Sequence, residues 1–527
     1  MKRLNWLFVL TLIVTALGVG SVSASENSPA ISQTALQADT IVLGTTDSIS
    51  KLDPADAYSY HDWEILRNTN EGLLRLTPGT TDLEPAIATG MPTVSEDGLT
   101  YTFELKPDLM FADGTPYGAA EVAASINRVI ALDGDPAWLV SAYVASVEAV
   151  ENTVVFTLAE RFDLFPLVVA TVPYVVINPA NYPADAIENF PAQIMGNGAY
   201  MLTEYVVEEQ AVFEANPNYH GTAPLTPRII VRYYQDSPQM SLAIESGEID
   251  VAMRSIAPTE LAALRETEGI NIVSGPGSIL FIAFQHQAEP GNDPNVRRGF
   301  AYAIDRDEIV DRAMSGTVEP LYSMIPPGFL GANEAFADVY GLGADVEAAK
   351  AEFAKSGYTE DNKLQVELWY PPEHYGDTAA DVFAVFKEQL ERTGVVEVTL
   401  QSAEWSTYID AATNGDYPIF MLGWFFDFAD SSNYIDPFAE CDGSDNMGIF
   451  YCTEQMDGFI TAARAQVSDP DTRAQTYADL QQFYAEEAVT VPMYVGTVNY
   501  LYRDGVEGVV LGSALEFHFA SLTKAAE

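Results

Sequence analysis

The succession of strand and helix signals in this chain predicts the α/β class, and three observations carry that prediction. Ile229 to Tyr234 reads as a strand, Pro238 to Glu245 as a helix and Ile249 to Ala252 as a strand, which together make a βαβ unit. From Val346 to Leu422 helix and strand patterns alternate, as they do where helices pack on a largely parallel sheet. Length is the third. About 500 residues follow the N-terminal leader, enough for two or three domains with sizeable cores.

Taken in order, the chain opens on Lys2 and Arg3, an apolar run from Leu7 to Val14, helix-breaking Gly18 and Gly20, and the small residues Val22-Ser23-Ala24. That three-part pattern predicts an export signal over residues 1–24, its apolar part short for a bilayer span. Residues 25–39 are rich in Ser, Ala and Gln and read as a flexible leader. Thr40 to Leu43 is the first strand. Thr100 to Leu105 alternates as a half-buried strand does, and Asp113-Gly114 marks a turn. Val122, Ile126, Val129 and Ile130 recur at helical spacing, and Val147 to Leu158 reads as a hairpin around Glu151-Asn152. This first third is therefore a mixed α+β unit. Further on, Asp293-Pro294 pairs an N-cap with a proline at the first helical position. Asp469-Pro470 starts a long helix to about Glu487, and Val489 to Val495 returns as a strand.

Composition narrows the function. With 76 acidic against 25 basic residues the net charge is −51, which repels nucleic acid and anionic membranes. The surplus biases the protein towards cationic or zwitterionic ligands. Two cysteines, Cys441 and Cys452, lie close in sequence; in an oxidising compartment a disulfide is favoured over two thiols. Closing so short a loop contributes roughly 2–3 kcal/mol. No cysteine lies near the expected cut, so a lipid-modified N-terminus is not expected.

No catalytic constellation emerges. His61, His220, His286, His374 and His518 are isolated, without metal-ligand spacing. There is no Gly-x-Ser-x-Gly elbow, phosphate-cradling loop or Cys-x-x-Cys pair. Catalytic residues, a resident metal and cofactors are accordingly not expected. The informative segment runs from Gly423 to Tyr434, directly after an apolar strand, Pro418 to Leu422. It thus lies at the carboxyl edge of a sheet, where open α/β folds bind ligands. Trp424, Phe425 and Phe428 can wall a site, and Asp427 supplies a charge that burial would tolerate only if paired, for instance with a ligand ammonium. An equal reading makes the aromatics core and the aspartates turn and cap residues.

An ordered series of short motifs adds to this. Leu52-Asp53-Pro54, Glu71-Gly72-Leu73-Leu74, Tyr101 to Lys106 with Phe111-Ala-Asp-Gly114, Pro116, Ser125 and Arg128, then Gly196-Asn-Gly-Ala-Tyr200, Asn216-Pro-Asn-Tyr219, Gly247-Glu-Ile-Asp250, Val296-Arg297 and Ala303-Ile-Asp305 follow one another. In this series the chain resembles the large extracytoplasmic solute-binding proteins of peptide-type ABC importers, family 5, which include dipeptide-, oligopeptide- and nickel-binding receptors. Asn197 and Ala199 depart from the family's usual Thr and Pro, Gln285 from its Asn, and Asp430-Ser431 from its Asp-Pro. The resemblance implies a periplasmic-binding-protein-like two-lobe fold (type II, cluster C) with an extra inserted α+β domain. Lobe I would comprise residues 40–72, 196–279 and 491–527, the insert 73–195, and lobe II 280–490. It implies a monomeric receptor outside the cytoplasm, periplasmic or extracellular, that closes on a small peptide and hands it to the importer's membrane permease without chemistry. Asp427 would pair with the ligand's α-amino group, with Trp424, Phe425, Phe428, Trp405, Gln285 and Tyr370 around it. An oligosaccharide is the second ligand class, since Trp405, Trp424 and the 27 tyrosines could stack on sugars; nickel ranks third, and a secreted hydrolase using paired acids is the remaining alternative.

Overall fold

The computed structural model describes residues 40–525 except 255, 373, 377 and 513–516. The expected signal and leader, residues 1–39, lie outside the described residues. Mixed α/β architecture is confirmed: one large sheet dominates, with helices against it. Two long strands, Ile270–Phe284 and Thr490–Arg503, run antiparallel through its middle and join its two halves. In the first half, Thr40–Thr45 lies between Arg228–Tyr233 and Val251–Met253, parallel to both. The βαβ unit legible in the sequence therefore straddles the N-terminal strand, its helix Ser237–Ser246 capped by Asp236. In the second half, Leu364–Tyr370 lies between Val396–Ser402 and Ile419–Trp424, parallel to both. Helices Ala379–Glu391 and Trp405–Thr413 make these crossovers.

Several local expectations hold. Asp293 accepts from the Asn295 amide and Asp469 from the Thr472 amide, each capping a helix that opens on proline. Strands Val144–Val150 and Thr153–Leu158 form the expected hairpin, with Glu151 at its turn in the left-handed region (φ 54°). One boundary needs correction. The strand expected to end at Val495 continues to Arg503. Gly496 interrupts the apolar run, but the long partner strand keeps pairing beyond it.

The motif series turns out to carry packing. Arg128 donates to both carboxylate oxygens of the fully buried Asp53 at 2.7 and 2.6 Å, and also to the Pro183 and Ala186 carbonyls. Gly196 and Gly198 let the chain press on residues 68–70: a Cβ at Gly196 would sit 2.1 Å from the Thr69 carbonyl oxygen. Between them, Asn197 donates to the Glu71 carbonyl and accepts from the Glu71 amide. One apolar core gathers residues of the first half with those of the 101–176 stretch, and a second spans 279–495.

Candidate cleft between the sheet halves

Glycines let the two long strands touch backbone to backbone where their ladder slips register, between Pro276 and Ile279. A Cβ at Gly277 would meet the Gly496 backbone at 2.8 Å. Here Gly277, Ser278, Gly496 and Thr497 floor a cavity of about 980 Å³, part of it open to solvent. Asp47, Tyr60, Arg254 and residues 256–258 wall it from the first half; Met314, residues 374–376 and Phe425 wall it from the second. The lining joins aromatic and aliphatic side chains to Asp47, Arg254, His374 and Asn499, a mixture that suits a small polar organic ligand.

Asp47 follows strand Thr40–Thr45, Arg254 follows Val251–Met253, His374 follows Leu364–Tyr370, and Phe425 follows Ile419–Trp424. All four stand past the carboxyl ends of parallel strands. Applied to every strand, the edge rule that singled out the Trp424 segment would have found Asp47, Arg254 and His374 as well.

Arg254 is the electrostatic centre of the first wall. Its Nε and Nη2 donate to Asp47 Oδ2 at 2.8 and 2.6 Å, Nη1 and Nη2 to the two oxygens of Glu64 at 2.9 and 3.0 Å, and Nη1 to the Tyr500 hydroxyl at 2.9 Å. The guanidinium holds Glu64 and Asp47 below the usual carboxylate range despite the opposing effect of their burial. Arg254 adopts φ 54°, a conformation costing a non-glycine residue about 1 kcal/mol or more. Across the cavity, His374 stacks on Trp405 with ring centres 3.5 Å apart, and burial pushes its imidazole down to about 3, so it is neutral at pH 7.

The expected ligand residues divide into three groups. Trp424 and Asp427 come together: Asn433 Oδ1 accepts from Trp424 Nε1 (3.1 Å) and from the Asp427 amide (2.7 Å). Asp427 is buried, and its Oδ2 accepts from Tyr58 Oη at 3.2 Å and Asn433 Nδ2 at 3.3 Å. No arginine or lysine forms an ion pair with it among the described residues, and burial pushes its carboxyl up to about 7. Phe425 lines the cavity and meets Tyr60 edge-on at 5.3 Å, and Trp405 backs the cavity through His374. Asp427 itself does not line the cavity.

Phe428 belongs to neither wall. It is 3% exposed and packs into the first apolar core. Tyr370 and Gln285 are not brought to the cleft. Tyr370 stacks on Phe383 of the crossover helix (4.8 Å). Gln285 follows Phe284, which pairs with Ile419, whereas the cleft end of the same ladder pairs Ile279 with Trp424. Five residues of strand, roughly 17 Å, separate the two ends. Cys441 and Cys452 form a disulfide, and Asp430 is an ion-pair and cap residue, bound by Arg473 at 2.7 Å.

The model of the bacterial extracellular solute-binding proteins, family 5, matches residues 82–446. A periplasmic oligopeptide-binding protein of Salmonella typhimurium is 27% identical over 520 residues, covering 92% of this chain and 91% of its own. Among solved structures, a dipeptide-binding protein of a Pseudoalteromonas species in complex with Met-Leu superposes with a TM-score of 0.81 at 21% identity, covering 92% of this chain and all of that one. An Agrobacterium tumefaciens binding protein in complex with agropinic acid gives the same TM-score at 22% identity, covering 92% and 96%.

Proposed function

We infer that this chain, which belongs to the bacterial extracellular solute-binding proteins of family 5, is the receptor of an ABC importer and captures a small peptide for the membrane permease. The relatives are binding proteins, not enzymes, and are named for the periplasm and for oligopeptides or dipeptides. A periplasmic or extracellular location follows from them. In this reading the two sheet halves belong to lobes I and II, divided as the sequence motifs suggest, with the long strands as the hinge and residues 73–195 as the inserted domain. The receptor works as a monomer.

The observation that carries the peptide reading is Asp427. A carboxylate buried beside Trp424 and Tyr58, with Arg67 acting on it only at a distance and no ion-pair partner among the described residues, is an incomplete ion pair, and a ligand α-ammonium completes it with a charge-assisted hydrogen bond. Asp427→Asn keeps the shape and removes the charge. Peptide affinity should fall by about 3–5 kcal/mol, and capping the peptide's amino terminus should mimic the variant. Calorimetric titration with free and N-acetylated peptides tests this; equal affinity for both forms refutes the assigned role. Oligosaccharides move to first place only if they bind and Trp424→Ala or Trp405→Ala abolishes that binding.

A further inference from the structure

The cavity wall opposite Phe425 carries more negative charge than its one guanidinium answers. Arg254 is the sole arginine or lysine lining the cavity among the described residues, and its five N–H groups are all engaged by Asp47, Glu64 and Tyr500. It has no donor left for a ligand carboxylate. Asp47 and Glu64 together bring two charges against one, and the remaining neighbour, His61, contacts Glu64 at 3.0 Å and the Tyr233 hydroxyl at 3.2 Å. His61 also meets Arg254 Nη2 at 3.4 Å, and no hydrogen bond joins it to Asp47 among the described residues.

The carboxylate that faces the cavity is Asp47, whose side chain is 17% exposed while that of Glu64 is fully buried. Both of Arg254's hydrogen bonds to Asp47 fall on Oδ2. Around Asp47 the lining is aromatic: Tyr60 has its ring centre 5.7 Å from His374 and 5.3 Å from Phe425, and Tyr375 stands 4.6 Å from His374. A carboxylate set among ring faces, with no cation to spare, is a receptacle for a positively charged group. His374 is neutral there, so it does not compete.

We propose, resting on the receptor reading above, that the ligand bears a second positive group, a guanidinium or ammonium side chain, which seats in this cavity against Asp47 and beside the rings of Tyr60 and His374. The preferred substrates are thus basic peptides rather than neutral zwitterionic ones. A glutamate side chain at the same place would meet a like charge and is rejected.

The test is calorimetric titration of the exported protein with di- and tripeptides carrying arginine, citrulline or glutamate at each position in turn. Citrulline keeps the shape of arginine without its charge. At the best position arginine should bind at least tenfold more tightly than citrulline, with glutamate weakest. Asp47→Asn should erase the difference between arginine and citrulline. Equal affinities in the unaltered protein overturn the proposal yet leave the peptide receptor standing. If no peptide binds, agmatine serves as a non-peptide guanidinium probe. Binding that Asp47→Asn abolishes keeps the cavity's charge preference and rejects the peptide; no binding rejects both. Should Asp47→Asn fail to fold, the unaltered protein's ligand series decides, and Tyr60→Leu should weaken arginine peptides selectively.

Discussion

At Asp427 the burial of a carboxyl makes the stability of the fold depend on pH. Its carboxyl is raised to about 7 from an ordinary 3.8, chiefly by burial, so the folded state holds this proton more tightly than the unfolded chain does. Folding is favoured at and below the ordinary carboxyl range, and this contribution is lost as pH rises towards 7, a swing of about 4 kcal/mol. Asparagine has no such dependence. The stability of Asp427→Asn relative to the unaltered protein should therefore rise from pH 4 to pH 8, as denaturant melts across that range will read. A difference independent of pH would mean the carboxylate is not desolvated. The same group should make capture pH-linked: at pH 6 an arriving ammonium displaces the proton, so titrations in buffers of different ionisation enthalpy should show release of about one proton.

At the scale of elements, the disulfide is coupled to the site through packing. Cys441 opens the helix Cys441–Asn446 directly after Asp436–Ala439, and Phe438 of the latter meets Trp424 edge-on at 5.1 Å. Arg464 braces the same turn by pairing with Asp436 and Glu440. Opening the 11-residue separation between the cysteines forfeits about 3 kcal/mol of local restraint, concentrated in this loop. Reduction should lower ligand affinity several-fold while shifting the global melting temperature by only a few degrees. Alkylation of the exported protein before and after reduction establishes the bond, and calorimetry in reductant measures the coupling. Two freely alkylated thiols in the exported protein defeat the scheme.

For the whole molecule, the joint is the pair of long strands, and its closeness depends on glycine. Gly277 admits no Cβ without displacing the Gly496 backbone, and the ladder slips register between Pro276 and Ile279, at the cavity floor. Gly277→Val should wedge the strands apart at that level and hold the halves from closing fully. Ligand affinity should drop by tenfold or more, and small-angle scattering should show a smaller ligand-induced decrease in radius of gyration than in the unaltered protein. Ile279, Leu280 and Val495 of these strands belong to an apolar core, so the same wedge should lower thermal stability by about 1–3 kcal/mol. An unchanged compaction on ligand binding would take the hinge role from these strands.

Much of the architecture was readable from local chemistry because local chemistry decides it. Asp-Pro caps set the helix starts at Pro294 and Pro470, and apolar runs after turns marked the strands of the second half. The aromatic-acidic segment at residues 423–434 was legible for the same reason, since it directly follows a strand whose carboxyl edge points to a ligand. What the tertiary structure alone decided is which edges meet. Asp47, Arg254, Tyr60 and His374 are separated by up to 327 positions, and none stands out from its neighbours; only the pairing of Thr40–Thr45 between two later strands and the crossing of the long strands bring them to one cavity. Register likewise places Gln285 away from the cavity, and packing turns Tyr370 and Phe428 from its lining, because periodicity shows that a side chain is apolar or aromatic but not which of two facing cores receives it.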